Sequence, residues 1–142
     1  MGEIMKFRDD YWFLSNMFVS PITYKGIKYL CVEGAFQAQK CPERASEFTH
    51  LRGFEAKKLG KTVKLRKDWG DVRVPIMLEL LEIKFSKPEL QKKLIDTGDL
   101  ELIEDNEWRD TFWGKYHGKG RNMLGRLLMV VRDELQDPQK PL

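Results

Sequence analysis

The run Ile76-Met77-Leu78-Glu79-Leu80-Leu81-Glu82-Ile83 is apolar on almost every side of a helix, and such a helix is stable in water only where other elements cover it. Pro75 stands just before it, where a fixed φ and a missing N–H suit a first turn, so a central helix is predicted to open at Pro75. Covering that helix takes a core. A chain of 142 residues, 42% of them apolar, can build one without disulfides or metal, as a single domain.

The remaining pattern predicts what packs around it. Ile22-Thr23-Tyr24 and Ile27-Lys28-Tyr29-Leu30 flank Lys25-Gly26 and read as a hairpin whose glycine takes positive φ. A helix is expected over 32–40, ending before Pro42, and another over 54–59 with Gly60 as its C-terminal cap. Ser86 and Glu89 suggest a capping box for a helix over 89–95 that stops near Gly98, with a short strand over 100–103. Met123, Leu124, Leu127, Leu128, Val131 and Leu135 repeat at helical spacing, predicting a final helix from Arg121 or Asn122 to about Leu135. The expectation is an α+β fold, mostly helical with a small antiparallel β component: one domain over 1–142, its core about 7–135 and a frayed tail over 136–142.

Cys31 and Cys41 are too few for a disulfide framework; Cys31 suits core packing, and a reducing compartment is expected. The start, Met1 to Arg8, lacks an apolar h-region and no stretch approaches the roughly 18 apolar residues of a membrane span, so a cytoplasmic location without membrane contact is expected. Neither cysteine nor histidine has metal-ligand spacing, and no metal or redox cofactor is suggested. Net charge is only +3, weak support for extended nucleic-acid binding. Yet Lys57, Lys58, Lys61, Lys64, Arg66, Lys67 and Arg73 fall within seventeen positions, either a solvated face or a place for phosphate groups. No dinucleotide or Walker motif is present. Gly118-Lys119-Gly120-Arg121-Asn122 reads either as a plain loop into a helix or as a phosphate site, with glycines admitting a ligand and unpaired N–H groups at the helix start.

Glu33 sits near the start of its helix, where a negative charge is favourable, with Gln37 and Lys40 along the same side lining a cleft while Phe36 faces the core. Trp69, after the basic run, is either a core anchor or a plane on which a base stacks.

Phe13-Leu14-Ser15-Asn16, Val32-Glu33-Gly34-Ala35-Phe36-Gln37-Ala38-Gln39-Lys40, Leu65-Arg66-x-Asp68-Trp69, Lys84-Phe85, Thr97-Gly98, Asp110-Thr111-Phe112-Trp113-Gly114 and Gly118 to Gly125 follow one another in an order and spacing that resembles the NADAR family, over about 7–135. The resemblance implies a hydrolase of ribose N-glycosides: relatives act on phosphoribosylamino-pyrimidine intermediates of riboflavin biosynthesis, others on ADP-ribose derivatives, including ADP-ribosylated guanine in DNA or RNA. It places functional roles on Glu33, Trp69 and Asp110. Glu33 is then the principal base or electrostatic stabiliser and Asp110 orients water or ribose hydroxyls, or the reverse, while Trp69 stacks on the base. Ser15 and Asn16 become candidates for the ribose hydroxyls, or form a local turn. Lys57, Arg66 and Arg73 become phosphate candidates, with Gln37, Lys40, Gly118, Lys119, Gly120 and Asn122 as further substrate contacts. Trp113 with Gly114 fixes the loop of Asp110 and stands among the substrate candidates too. Gly34-Ala35 replaces a bulky pair common in relatives, which either widens the site or alters packing. The implied partner is a phosphoribosyl or ADP-ribosyl small molecule, free or on nucleic acid; a binding module for ADP-ribose without turnover is the alternative.

Overall fold

The computed structural model describes residues 2–137; of the expected tail, 138–142 lies outside the described residues. The elements in chain order are β1 (Glu3–Ile4), a 3₁₀ segment (Asp9–Leu14), β2 (Ile22–Tyr24), β3 (Ile27–Tyr29), α1 (Val32–Ala38), a second 3₁₀ segment (Pro42–Phe48), α2 (Gly53–Gly60), α3 (Trp69–Lys84), α4 (Pro88–Asp96), β4 (Glu101–Leu102) and α5 (Met123–Gln136). This is an α+β fold, mostly helical, with the expected antiparallel pair β2–β3 and an unexpected parallel pair β1–β4. The chain packs as two units, Asn16–Lys84 and the stretch up to Ser15 joined to the residues from Phe85.

In the Asn16–Lys84 unit, Lys25 and Gly26 both take positive φ, 50° and 82°, the twist that a two-residue hairpin needs. That register turns Ile22, Tyr24 and Tyr29 inward. The Tyr24 hydroxyl donates to Glu79 Oε1 of α3 at 3.1 Å, and burial together with that carboxylate pushes its pKa up to about 12. Every residue of α1 is buried.

Two helix boundaries differ from expectation, each for a physical reason. Gly60 is not a cap: it lies inside α2, and Lys61 is the C-cap. A Cβ at Gly60 would collide with the Gln37 carboxamide oxygen, so the glycine is needed for close approach of α2 to α1. Pro75 does not open α3, which begins at Trp69 and carries the proline inside. Pro75 and Asp71 are both exposed, so the Asp71 carbonyl deprived of its helical partner faces water. α3 is also covered on one face rather than all round: Ile76, Met77, Leu80, Leu81 and Lys84 are buried, while Glu79 and Glu82 are exposed.

In the other unit, β1 pairs in parallel with β4 and buries Ile4 and Leu102. The expected capping box is absent: Lys87 is the N-cap of α4 and Pro88 takes its first position. Gly98, at φ 63°, turns the chain after α4. α5 buries Leu124, Leu127, Leu128 and Val131 as its spacing requires, and its Arg132 guanidinium donates to Thr97 Oγ1 at 2.9 Å. Phe13 meets Phe85 edge-on at 6.5 Å.

Two glycine replacements test the helix contact by chemical denaturation. Gly60→Ala is expected to lose about 1–3 kcal/mol, because the added methyl overpacks against Gln37. Gly70→Ala, in α3 with nothing within 4 Å of the new Cβ, is expected to gain about 0.5–1 kcal/mol.

Candidate active site

α1 starts where the backbone of Asn16 meets it. The Glu33 N–H donates to the Asn16 carbonyl at 3.0 Å, which fixes the first turn of the helix against the segment before the hairpin. Glu33 is 9% exposed, and Gln37, one turn on, donates from Nε2 to its Oε2 at 2.6 Å. The opposite end of the same carboxamide lies against Gly60, its Oε1 buried without a hydrogen-bond partner, while the Nε2 end aims the carboxylate. Asn16 donates weakly to Met77 Sδ at 3.5 Å, while its buried Oδ1 accepts no hydrogen bond. A buried acceptor left open is a natural place for a hydroxyl.

Lys40 is half-buried beyond the end of α1. Burial lowers its pKa, the Glu33 carboxylate raises it, and Lys57 and Lys61 lower it again. Trp69, the first residue of α3, is 8% exposed and packs against Phe36 at 5.0 Å between ring centroids. Most of its indole is therefore committed to packing. Arg66 is bound to Asp68 through Nε at 2.6 Å and Nη2 at 3.0 Å, a fork that occupies its guanidinium. Arg73 is half-buried on α3. The small pair Gly34-Ala35 lies in packed surroundings: the Cβ position of Gly34 faces the carbonyls of Leu51 and Phe48 at 3.7 and 3.8 Å, and Ala35 is fully buried.

Lys84 has no role in the sequence reading, although it stands in a motif of the resemblance. It is fully buried, with Nζ 5.5 Å from the Phe18 ring centroid. Its charge acts on the Cys31 thiol, as does that of Glu33; burial is what chiefly pushes that thiol up. The signal was in the spacing, since Lys84 continues the buried stripe of Ile76, Met77, Leu80 and Leu81.

In the other unit the structure gathers Asp110, Trp113 and the 118–122 segment into one loop system. Asn106 is its knot: Oδ1 accepts from Trp108 and Asp110 N–H at 3.2 and 3.0 Å, and Nδ2 donates to the Asp110 and Lys115 carbonyls at 2.9 and 3.2 Å. Asp110 Oδ1 accepts the N–H groups of Phe112 and Trp113 at 2.9 and 2.8 Å, an Asx turn. Both of these bonds fall on Oδ1, and Oδ2 is left for other work. Trp113 stacks edge-on with Phe112 at 4.9 Å.

The expectation of unpaired N–H groups at the start of the last helix does not hold. The amides of Arg121, Asn122, Met123 and Leu124 donate to the carbonyls of Thr111, Gly114, Phe112 and Trp113 at 2.8 to 3.2 Å. The glycines serve the backbone as well. Gly118 follows His117 in a two-residue turn closed by Tyr116 and Lys119, both turn residues at positive φ, and Gly120 packs onto Gly114 and Thr111. Asn122 is buried with its side chain spent on Glu104 N–H and the Leu102 carbonyl, each at 2.9 Å. Ser15, also buried, closes the 3₁₀ turn through its N–H on Trp12 O at 2.9 Å. Among the described residues no three His, Cys, Asp or Glu side chains gather to hold a metal, and no helix is long and apolar enough to cross a membrane.

A family profile described as the NADAR domain matches residues 5–136. The chain belongs to the NADAR family. Among NADAR relatives, N-glycosidase YbiA of Escherichia coli is 36% identical over 134 residues, 89% of this chain and 83% of that protein. A riboflavin biosynthesis protein of Vibrio vulnificus is 36% identical over 136 residues, 91% of this chain; the chain spans only 37% of that protein's length. The chloroplastic riboflavin biosynthesis protein PYRR of Arabidopsis thaliana is 35% identical over 126 residues, 83% of this chain and 20% of that one. The NMR structure of E. coli YbiA superposes with a TM-score of 0.82 at 33% identity, covering 96% of this chain and 87% of that one.

The NADAR loop around Asp110 separates shape from charge. Asp110→Ala is expected to cost about 1–3 kcal/mol in denaturant unfolding, since two backbone N–H groups lose their acceptor. Asp110→Asn keeps an oxygen in place and is expected to cost about 1 kcal/mol or less.

Proposed function

We propose that this NADAR chain hydrolyses the N-glycosidic bond at C1 of a ribosyl substrate, with Glu33 as the principal base or electrostatic stabiliser. The observation that carries the reading is the buried Glu33 carboxylate, aimed by Gln37, in a helix turn held by the backbone of Asn16. As the C1–N bond breaks, its electron pair leaves with the base nitrogen and positive charge spreads over C1 and the ring oxygen. A fixed carboxylate stabilises that charge and takes a proton from the water that attacks C1; the departing nitrogen gains a proton. Asn16 Oδ1 accepts a ribose hydroxyl. Asp110, through Oδ2, is assigned to orienting water or ribose hydroxyls, and Trp69 supplies a wall of packed aromatic surface for the base. The N-glycosidase name of YbiA supports the reaction class. The riboflavin biosynthesis names of the Vibrio and Arabidopsis relatives favour a phosphoribosylamino-pyrimidine over ADP-ribosylated guanine as substrate.

The test is mass-spectrometric detection of released base and sugar, with both substrates offered in parallel to wild type and Glu33→Gln. Turnover of the pyrimidine is expected, falling about 10²–10⁴-fold in Glu33→Gln while unfolding is little changed. Full activity in a folded Glu33→Gln overturns the assignment. Turnover of only the guanine conjugate moves the substrate, and tight ADP-ribose binding without any turnover makes the chain a binding module.

A further inference from the structure

Three groups stand in line across the contact of α1 with α2: Gly60, the Gln37 carboxamide and the Glu33 carboxylate. Gly60 is the buried last residue of α2, and the Gln37 carboxamide oxygen fills the space that a Cβ there would take. An ionised carboxylate only accepts, so the carboxamide must present Nε2 to Glu33, and it does so at 2.6 Å. That choice sends Oε1 to Gly60, where it is buried without a hydrogen-bond partner. A buried acceptor left open costs free energy, and an apolar side chain of the same length would fill the space without that cost. The carboxamide therefore serves the carboxylate and not the helix contact.

A methyl at Gly60 would stand where Oε1 stands, so either the carboxamide turns or α2 moves away. Both draw Nε2 off Glu33, and a hydrogen bond weakens steeply with lost distance and angle, most of all when its acceptor is charged. We infer that Gly60 and Gln37 are positioning residues of the reaction, acting in series: the bare Cα of Gly60 fixes the carboxamide, and the carboxamide fixes the carboxylate. The inference rests on the glycosidase reading for what Glu33 does. Gly60 lies on a different helix from Glu33 and reaches it through Gln37. Its effect on turnover must then vanish once the carboxamide is gone, whereas two independent packing defects would multiply.

Kinetics on the phosphoribosylamino-pyrimidine and NMR of the full chain test it together. In wild type one Gln37 side-chain N–H proton is expected downfield, displaced by the carboxylate, and that displacement is expected to shrink in Gly60→Ala and in Glu33→Gln. Gln37→Met keeps the length and drops the donor. kcat is expected to fall about ten- to hundredfold in Gly60→Ala and in Gln37→Met, with KM little changed. Gly60→Ala/Gln37→Met is expected to be no slower than Gln37→Met alone. Val131→Ala, a cavity in the buried face of α5, lowers stability comparably and is expected to keep the wild-type kcat. Multiplying losses in the double variant, an unmoved Gln37 resonance in Gly60→Ala, or an equal kcat loss in Val131→Ala overturns the inference. Should Gly60→Ala fail to fold, Gln37→Met decides: unchanged kcat overturns it, and a fall at constant KM supports it. If wild type turns over no ribosyl substrate while the Gln37 resonance still moves in Gly60→Ala, the series stands and the glycosidase reading falls.

Discussion

The Gln37 carboxamide is the contact on which the Asn16–Lys84 unit depends. One end holds Glu33 at 2.6 Å, the other lies on Gly60, and the two together set the spacing of α1 and α2. A helix pair can approach this closely only where one partner lacks a side chain. The orientation of the buried carboxylate and the seating of α2 both follow from that one close approach. Geometry and charge are therefore coupled here: loosening the helix contact would also turn the acid.

Much of this was legible in the sequence, and the reasons differ by element. The β2–β3 hairpin followed from Lys25-Gly26 between aromatic and β-branched residues, and α5 from its apolar repeat, because both signals are local. Gly60 and Pro75 were misplaced since each obeys a non-local rule: one answers Gln37 across a helix contact, and the other is tolerated because its face of α3 meets water. The β1–β4 pair joins two residues to two residues almost a hundred positions apart, too short a run to leave any alternation to read.

The same division holds for the site. Glu33 and Gln37 stand one turn apart on α1 and are bonded to each other, as helical spacing implies, while Lys40 follows after the helix has ended. The 118–122 segment read either as a plain loop into a helix or as a place for phosphate, and Asn106 left no signal of its own. Asn106 and Asn122 bind backbone and Gly120 lies against backbone, so what reads as a cradle for phosphate is a loop system closed upon itself. Lys84 was passed over because charge was weighed by residue type instead of by its place in the buried stripe of α3.

Asp110 divides its carboxylate between two tasks, one oxygen for the turn and one for whatever the loop meets. An Asx turn closes only with a side chain one methylene long, which makes the length at this position a property of the backbone. Glutamate, equal in charge and acidity, would place its oxygen past the Phe112 and Trp113 amides and release the turn. Any redesign that sought to shift this acid toward a larger ligand would thus have to rebuild the chain around it, because reach and architecture are here the same variable.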